Sequence, residues 1–449
     1  MKIQMPPRVG EIIHTLEKAG FEGYAVGGCV RDSLLGRKPQ DWDITTSATP
    51  QQVKKLFRRT VDTGIQHGTV TVLLGDEGFE VTTYRVDGIY EDGRHPKEVT
   101  FTPNLEEDLL RRDFTINAMA YNESRGIVDL YGGLEDLERG IIRCVGSPKE
   151  RFGEDALRMM RAVRFSAQLG YSIEPETFAA IGELAGNLEK ISAERIQTEL
   201  TKLVTSDHPD DLRMAYEAGL TAVFFPEFDV AMKTDQVHKH HCYTVGEHLL
   251  HAMLEVPADK VLRLSMLLHD IGKPATMTVD EKGTTHFKGH PAVSAEMAEK
   301  FLRRLKYDNQ TIREVHLLVR YHDYGMKEDP TPRLARRALR RIGPAYMEQF
   351  LQVRRADVLA QSDYLREEKL RNVDLWRKEM EAVLERGECT DLSGLRIGGA
   401  ELMALGIPKG PRVGEALQYL LDLVLNDPEK NRVEILAEEA KHWLERTEE

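Results

Sequence analysis

Residues 27–43 read GGCVRDSLLGRKPQDWD: two glycines, an Arg-Asp pair, then two carboxylates separated by a single residue. Gly27 and Gly28 follow a short apolar strand (Tyr24, Ala25, Val26) and open a helix. Backbone without Cβ lets an anion approach closely, and the free N–H groups of a helix start favour negative charge. Arg31 falls in the first turn, where a guanidinium can reach phosphate oxygens bidentately. Asp41 and Asp43 lie i, i+2 on a predicted strand, so they project from one face roughly 6.5–7 Å apart. Two carboxylates that close repel unless they share a cation. A pair of Mg²⁺ ions held there would activate an attacking hydroxyl and neutralise a leaving pyrophosphate. A lone Asp-x-Asp reads most simply as a solvated turn. The Gly-Gly-x-Val-Arg-Asp stretch just upstream turns the reading toward nucleotidyl transfer.

At 449 residues the chain suggests about three domains. With 30% charged and 41% hydrophobic residues it has the composition of an ordinary soluble protein. No signal-peptide pattern opens it and no apolar run is long enough to cross a bilayer. Cys29, Cys144, Cys242 and Cys389 are far apart and form no C-x-x-C pair. This argues for a reducing, cytoplasmic setting and against a disulfide framework or a structural zinc site. The net charge of −13 does not exclude a nucleic-acid partner, because distribution matters more than the total. Basic residues cluster at 151–164, 331–341 and 354–355, and acidic ones at 364–390 and in the last dozen positions.

The pattern predicts an α+β architecture, a small head on a long helical body. Residues 1–140 mix strands and helices. An amphipathic helix runs from Val9 to Ala19, and Thr49-Pro50 reads as an N-cap followed by proline at the first position of a helix to about Arg59. Thr69–Leu74 and Phe79–Tyr84 read as a hairpin. Residues 86–104 have the glycines, prolines and charges of a loop over a site. The expected divisions are a head at 1–140, a helical neck at 141–224, a histidine-rich helical block at 225–365 and a helical tail at 366–449.

Two further motifs follow. In RRDFTINAMAYN (111–122), Arg111 and Arg112 end a helix, and Thr115–Tyr121 reads as a strand. Arginine there can clamp a phosphate, with Asp113 and Asn117 orienting it, or can simply stabilise a helix C-terminus. In GEDALRMMRAVRF (153–165), Asp155, Arg158, Arg161 and Arg164 recur at i, i+3 and form a ridge. Asp155 with Arg158 reads equally as a surface ion pair or as a base reader. Cytosine and adenine both present an amino donor beside a ring-nitrogen acceptor, so a carboxylate and a guanidinium can bind either. Uracil and guanine reverse that order, and rejection through unmet hydrogen bonds can reach roughly 10⁴-fold.

Together these motifs, with HGTVTV (67–72), the DGRHP loop and DLYGG (129–133), resemble the class II nucleotidyltransferases of the polymerase-β superfamily. That group comprises the tRNA CCA-adding enzymes and bacterial poly(A) polymerases. The resemblance covers nearly the whole first 165 residues. It implies a polymerase-β-like head in which Asp41 and Asp43 hold Mg²⁺ and are catalytic. Gly27, Gly28, Arg31 and Arg112 would hold the triphosphate, Asp155 with Arg158 would read the base, and Arg161 and Arg164 would contact the nucleotide nearby. Glu80 is a weaker third carboxylate, Glu154 is assigned to structure, and ISAERIQTEL (191–200) looks like the family's neck helix, with Arg195 steadying the head. The implied partners are tRNA, CTP and ATP, without a membrane. The oligomeric state is not legible. The loop at 84–104, with Arg94 and His95, favours complete CCA addition, while an A-adding enzyme or poly(A) polymerase would look nearly the same.

Histidines at 248, 269, 290, 316 and 322, with Asp270 and Asp357, form a further constellation. LLHDIGKP (267–274) resembles the HD phosphohydrolase superfamily, which implies a divalent metal on His248, His269, Asp270 and Asp357. His290 and His322 would complete a second metal or meet a phosphate, as would Lys273. HKHHC (238–242) reads as a polar loop. The resemblance thus implies a second, phosphoester-hydrolysing activity. It also leaves open an HD-type nucleotide phosphohydrolase whose head only senses nucleotide. The last block resembles the family's tRNA-binding tail, with Arg396, Lys409 and Arg412 as phosphate contacts. The helical stretch 331–355 offers another basic surface.

Overall fold

The computed structural model describes residues 2–88, 99–325 and 329–448. The loop residues Arg94 and His95 lie outside them. The chain divides into two compact units, Met1–Asp229 and Val230–Glu449.

The first unit opens with helix α1 (Pro7–Lys18), whose Val9, Ile12, Ile13 and Leu16 are buried at helical spacing. Next come β1 (Gly23–Val26), α2 (Gly28–Leu34), β2 (Ile44–Thr46) and α3 (Pro50–Leu56). Thr49 caps α3 as expected, with a reciprocal bond from Gln52, and the helix stops three residues short of Arg59. The expected hairpin is β4 (Thr69–Leu74) with β5 (Glu77–Thr83), preceded by β3 (Thr60–Gly64). After β6 (Arg85–Asp87), β7 (Val99–Phe101) and α4 (Leu105–Leu110), the chain adds β8 (Met119–Asn122) and β9 (Gly126–Asp129). Seven strands form one sheet in the order β3-β4-β5-β2-β1-β8-β9, antiparallel except for the parallel pair β2–β5.

Two local expectations fail. Asp41 and Asp43 are not on a strand: β2 begins at Ile44, and Asp43 precedes it, its carbonyl accepting from Val26 N–H at 3.0 Å. The proline and the polar run before them (Lys38-Pro-Gln) supply no alternation for a pairing face. Thr115–Tyr121 is likewise not one strand. Thr115–Asn117 forms a 3₁₀ turn before β8, where Asn117 turns inward to polar partners instead of alternating across a sheet.

The rest of this unit is helical apart from the short parallel pair Ile141–Ile142 and Ser172–Ile173: α5 (Gly133–Arg139), α6 (Pro148–Glu154), α7 (Leu157–Leu169), α8 (Pro175–Leu184), α9 (Ala193–Val204) and shorter pieces. α9 packs on α7. The second unit is helical apart from the short pair Thr278–Val279 and Thr285–His286. Its first layer consists of Val245–Leu254, Lys260–Leu268, His290–Arg304, Asn309–Tyr321 and Met347–Leu359, and the long charged helix Arg366–Glu385 follows. The final helices bury Leu420, Leu421, Val424 and Leu436 in a core of their own. No helix among the described residues is long and apolar enough to cross a membrane.

Candidate active site and metal centre

In the first unit the site is built where β1 meets α2. Gly27 caps α2 with φ 82° and ψ −133°, a conformation that side chains resist. A Cβ there would lie 3.2 Å from Arg112 Nη1. Asp41 and Asp43 are solvent-facing. Desolvation by the surrounding protein raises the Asp43 carboxyl, Arg112 opposes this, and Asp41 raises it again. Glu80 on β5 is raised in turn by burial and by both aspartates. Asp43 and Glu80 thus share one neighbourhood with Asp41, and the repulsion among them raises the first two. A divalent cation would relieve that repulsion.

The arginines are engaged within the protein. Arg31 is buried and donates through Nε and Nη2 to Asp32 Oδ1 (2.9 and 2.7 Å) and through Nη1 to Asn117 Oδ1 (2.7 Å). Arg111 binds Asp108 Oδ1 twice, at 2.9 and 2.7 Å, and Arg112 Nη2 lies 3.5 Å from the other Asp108 oxygen. Arg161 holds Asp113 Oδ2 through Nε and Nη2 at 2.8 and 2.6 Å. Arg164 holds Glu199 of α9 at 2.7 Å. Asp113 stays well below the usual carboxylate range despite its burial, because Arg161 and Asn117 both bind its charged form.

Asp155 and Arg158 do not pair with each other. Asp155 sits in the break between α6 and α7, where Arg195 Nη2 and Nη1 grip its two oxygens at 2.7 and 3.2 Å. Arg158 Nη1 donates to Glu154 Oε2 at 2.6 Å, and its Nη2 reaches the Arg111 carbonyl at 3.1 Å. The simple ion-pair reading therefore fails, because each member has its own holder. Two organising residues were missed in the sequence. Glu199 was passed over inside the neck motif. Phe165, the last residue of the 153–165 motif, carries no charge to mark it, yet its ring bears the guanidinium carbons of Arg164, Arg161 and Arg31 at 3.6, 5.3 and 4.9 Å.

In the second unit, His248, His269, Asp270 and Asp357 converge, and Asp270 with His290 and His322 forms an adjoining group. Helix ends supply most of these side chains: His269 and His322 close helices, and His290 opens one. Each histidine places Nδ1 against a backbone carbonyl: Ala360 (3.2 Å), Met266, Phe287 and Val319 (2.8 Å each). A carbonyl only accepts, so Nδ1 must carry the proton, and the four Nε2 atoms are left to face inward. His248 and His269 bring theirs within 3.1 Å of each other, and His290 and His322 within 3.3 Å. His248 Nε2 is 3.1 Å from Asp357 Oδ1, and His290 Nε2 is 3.0 Å from Asp270 Oδ1. Burial pushes His248 down, whereas at His269 the adjacent carboxylates outweigh burial and raise it, so a cation taking its Nε2 would displace a proton there. Inward ring nitrogens beside two buried carboxylates are a donor set that could hold a divalent metal. Lys273 Nζ binds Asp270 Oδ2 at 2.6 Å. His316, half-buried, is outside both groups.

The basic stretch 331–355 is partly turned inward, which corrects its reading as an open surface. Arg336 is buried on the Leu425 carbonyl and Glu388, and Arg354 is buried against Trp376. In the tail, Arg396 and Lys409 are exposed, while Arg412 is half-buried and reaches the Thr447 carbonyl.

Comparison with known proteins places this geometry. The Poly A polymerase head domain matches residues 23–143, the probable RNA and SrmB-binding site of polymerase A matches 170–232, and the HD domain matches 239–365. The CCA-adding enzyme of Pediococcus pentosaceus is 37% identical over 425 residues, covering 94% of this chain and 93% of that protein. The chain belongs to the CCA-adding enzyme family. Other family members match over about half their length. The Lactiplantibacillus plantarum CCA-adding enzyme is 54% identical over 212 residues, 47% of this chain and 50% of that protein. A crystal structure of the Bacillus stearothermophilus CCA-adding enzyme in complex with CTP aligns over 99% of this chain and 100% of that one, with TM-score 0.71 and 31% identity. The Thermotoga maritima CCA-adding enzyme complexed with tRNA shares the fold, with TM-score 0.60 and 20% identity over 99% and 100% of the two chains.

Proposed function

We propose that this protein completes the 3′ CCA end of tRNA from CTP and ATP without a nucleic-acid template, in the cytoplasm. The head would occupy 1–140, the neck 141–224, the HD domain 225–365 and a tRNA-binding tail 366–449, with Arg396, Lys409 and Arg412 on phosphates. The observation that carries the reading is the separately held pair Asp155 and Arg158, an acceptor and a donor fixed by Arg195 and Glu154. That pair matches the amino donor and ring-nitrogen acceptor shared by cytosine and adenine. Asp41 and Asp43 would hold Mg²⁺, with Glu80 beside them. The bound ion would supply charge for the attacking 3′-oxygen and the departing pyrophosphate. The 3′-oxygen bonds to the α-phosphorus as the bond to pyrophosphate breaks. Gly27 and Gly28 leave room for the triphosphate, and Arg112 and Arg31 neutralise it. Arg161 and Arg164 fix the wall beneath the base through Asp113 and Glu199.

The test uses tRNA ending before CCA, supplied with CTP, ATP or both. Addition of two C residues and then A is expected. Incorporation of ATP alone would identify an A-adding enzyme or poly(A) polymerase instead.

A second activity is favoured by the four inward Nε2 atoms. His248, His269, Asp270 and Asp357 would hold one divalent metal, and Asp270, His290 and His322 a second. The HD domain would then hydrolyse phosphoesters. If Asp41→Ala left nucleotide incorporation intact, the head would not be the polymerase site; if the unaltered protein hydrolysed phosphoesters and incorporated no nucleotide, the head would be only a sensor and the HD centre the sole enzyme.

A further inference from the structure

One corner of the second unit, the turn between the helices Met347–Leu359 and Arg366–Glu385, holds both Asp357 and the ring of His248. The Ala360 carbonyl in that turn accepts from His248 Nδ1 at 3.2 Å. The next residue, half-buried Gln361, donates from Nε2 to Asp357 Oδ1 at 3.0 Å. Lys369 Nζ donates to Gln361 Oε1 at 2.7 Å, and Arg366 Nη2 donates to the Gln361 backbone carbonyl at 2.7 Å. From the other side Ser362 fastens the turn to the loop before His248. Its N–H donates to the His240 carbonyl at 3.0 Å, and its Oγ to the Lys239 carbonyl at 2.7 Å. A lysine only donates, so the Gln361 atom facing Lys369 is the oxygen, and the amide nitrogen is left for Asp357. Lys369 thereby fixes which way round the amide stands.

The two buried carboxylates are held in different ways. Asp270 receives an ammonium directly, Lys273 Nζ at 2.6 Å on Oδ2, and Lys273 is itself held by Gln236 Oε1 at 2.8 Å. Asp357 receives a neutral amide, with the ammonium of Lys369 one hydrogen bond further out. The order of glutamine and lysine is inverted between the two. An ammonium set on a carboxylate competes with a cation for the same charge. An amide N–H orients the carboxylate and leaves its charge to the cation. The oxygen that Gln361 holds is also the one turned to the histidine nitrogens, 3.1 Å from His248 Nε2 and 3.6 Å from His269 Nε2. Among the described residues Gln361 is the only hydrogen-bond partner of Asp357 outside the metal group. Resting on the reading of His248, His269, Asp270 and Asp357 as a divalent-metal site, we propose that Gln361, oriented by Lys369, is the positioning residue that aims Asp357 Oδ1 at the cation and sets the affinity of that site.

The test is a calorimetric titration of chelator-treated, full-length protein with Mn²⁺. The binding event that Asp357→Ala abolishes is the one scored, which sets aside any ion taken up by the head. Loss of a partner that holds a metal ligand weakens metal binding about 10–100-fold. Gln361→Leu should therefore weaken the scored event at least about tenfold, while the Tm of the metal-free protein stays where it was. Lys369→Met, which leaves the amide free to turn over, should weaken the event in the same direction. Lys369→Arg, which still only donates to Oε1, should restore it. Should Gln361→Leu fail to fold or lower the metal-free Tm, the Lys369→Met and Lys369→Arg pair carries the comparison. Unchanged Mn²⁺ affinity in Gln361→Leu, or equal affinities in Lys369→Met and Lys369→Arg, overturns the inference while the metal site stands. If Asp357→Ala removes no binding event, the metal-site reading itself fails and the inference falls with it.

Discussion

Arg195→Met tests the base-reading geometry most directly. Arg195 spends two donors on Asp155, at 2.7 and 3.2 Å, and Leu157 N–H spends a third on the same carboxylate at 3.0 Å. A carboxylate offers about four lone-pair sites, so about one acceptor site is left for an incoming amino group. Each hydrogen bond to a charged group contributes about 1.5–3 kcal/mol. The pair is part-exposed, with side chains 22% and 14% accessible, so the low end applies to the two bonds together. About 1.5 kcal/mol corresponds to roughly a tenfold loss in the population of the productive carboxylate orientation. In single-nucleotide incorporation, kcat/KM for CTP and ATP should fall about tenfold. UTP, which gains nothing from a fixed acceptor, should change little, so the CTP:UTP ratio shrinks by the same factor. Arg195→Lys should recover part of it. An equal fall for all four nucleotides, or an unchanged CTP:UTP ratio, would refute the argument and leave Arg195 a structural residue.

Asp41→Ala should remove several kcal/mol of transition-state charge stabilisation, at least about a hundredfold in incorporation rate, with phosphoester hydrolysis as the internal control. A divalent metal at a hundred times its dissociation constant should stabilise the second unit by about 2.7 kcal/mol, read as a rise in Tm that His248→Ala abolishes. Phe165→Ala should cost about 3–5 kcal/mol in chemical denaturation, since it removes a buried ring and the support of three guanidiniums. Alkylation followed by mass spectrometry at pH 8 should mark the exposed Cys242 first. Burial pushes the Cys29 and Cys144 thiols up to about 11 and about 12, so little thiolate exists at either until the pH nears those values. Their early modification would contradict the packing.

The parts legible in sequence were those with strong local chemistry. Thr49-Pro50, the β4–β5 hairpin and the histidine-aspartate dipeptide each announce themselves through a cap, an alternation or a rare residue pair. The partners in the arginine network could not be read, because they lie far apart in the chain: Arg195 is forty residues from Asp155, and Arg161 forty-eight from Asp113. Spacing along α7 suggested that Asp155 and Arg158 would meet, since i, i+3 neighbours do so inside a helix. Asp155, however, lies outside α7 with extended backbone, so the helical rule did not apply. The basic stretch 331–355 misled for a related reason: charge counting cannot tell an exposed guanidinium from one bonded to the carbonyls of a distant helix.

The same network ranks the arginines for phosphate binding. Arg31, Arg158, Arg161 and Arg164 each have a carboxylate within 2.7 Å. An incoming triphosphate must compete with those partners for donors that are already aligned. Arg112 differs. Its acid, Asp108, is bound bidentately by Arg111, leaving Arg112 at 3.5 Å, and among the described residues its buried Nε has no partner. An unsatisfied buried guanidinium donor costs free energy until something accepts from it, and Arg112 stands beside Gly27, where a Cβ would crowd its Nη1. The glycine turn therefore faces Nη1 of an arginine whose nearest acid is taken up by Arg111, with Asp43 close enough to act on its charge. Arg112→Lys keeps the charge but loses the fork, and should raise KM for CTP and ATP alike without altering the CTP:UTP ratio. A changed ratio would move Arg112 from the phosphates to the base.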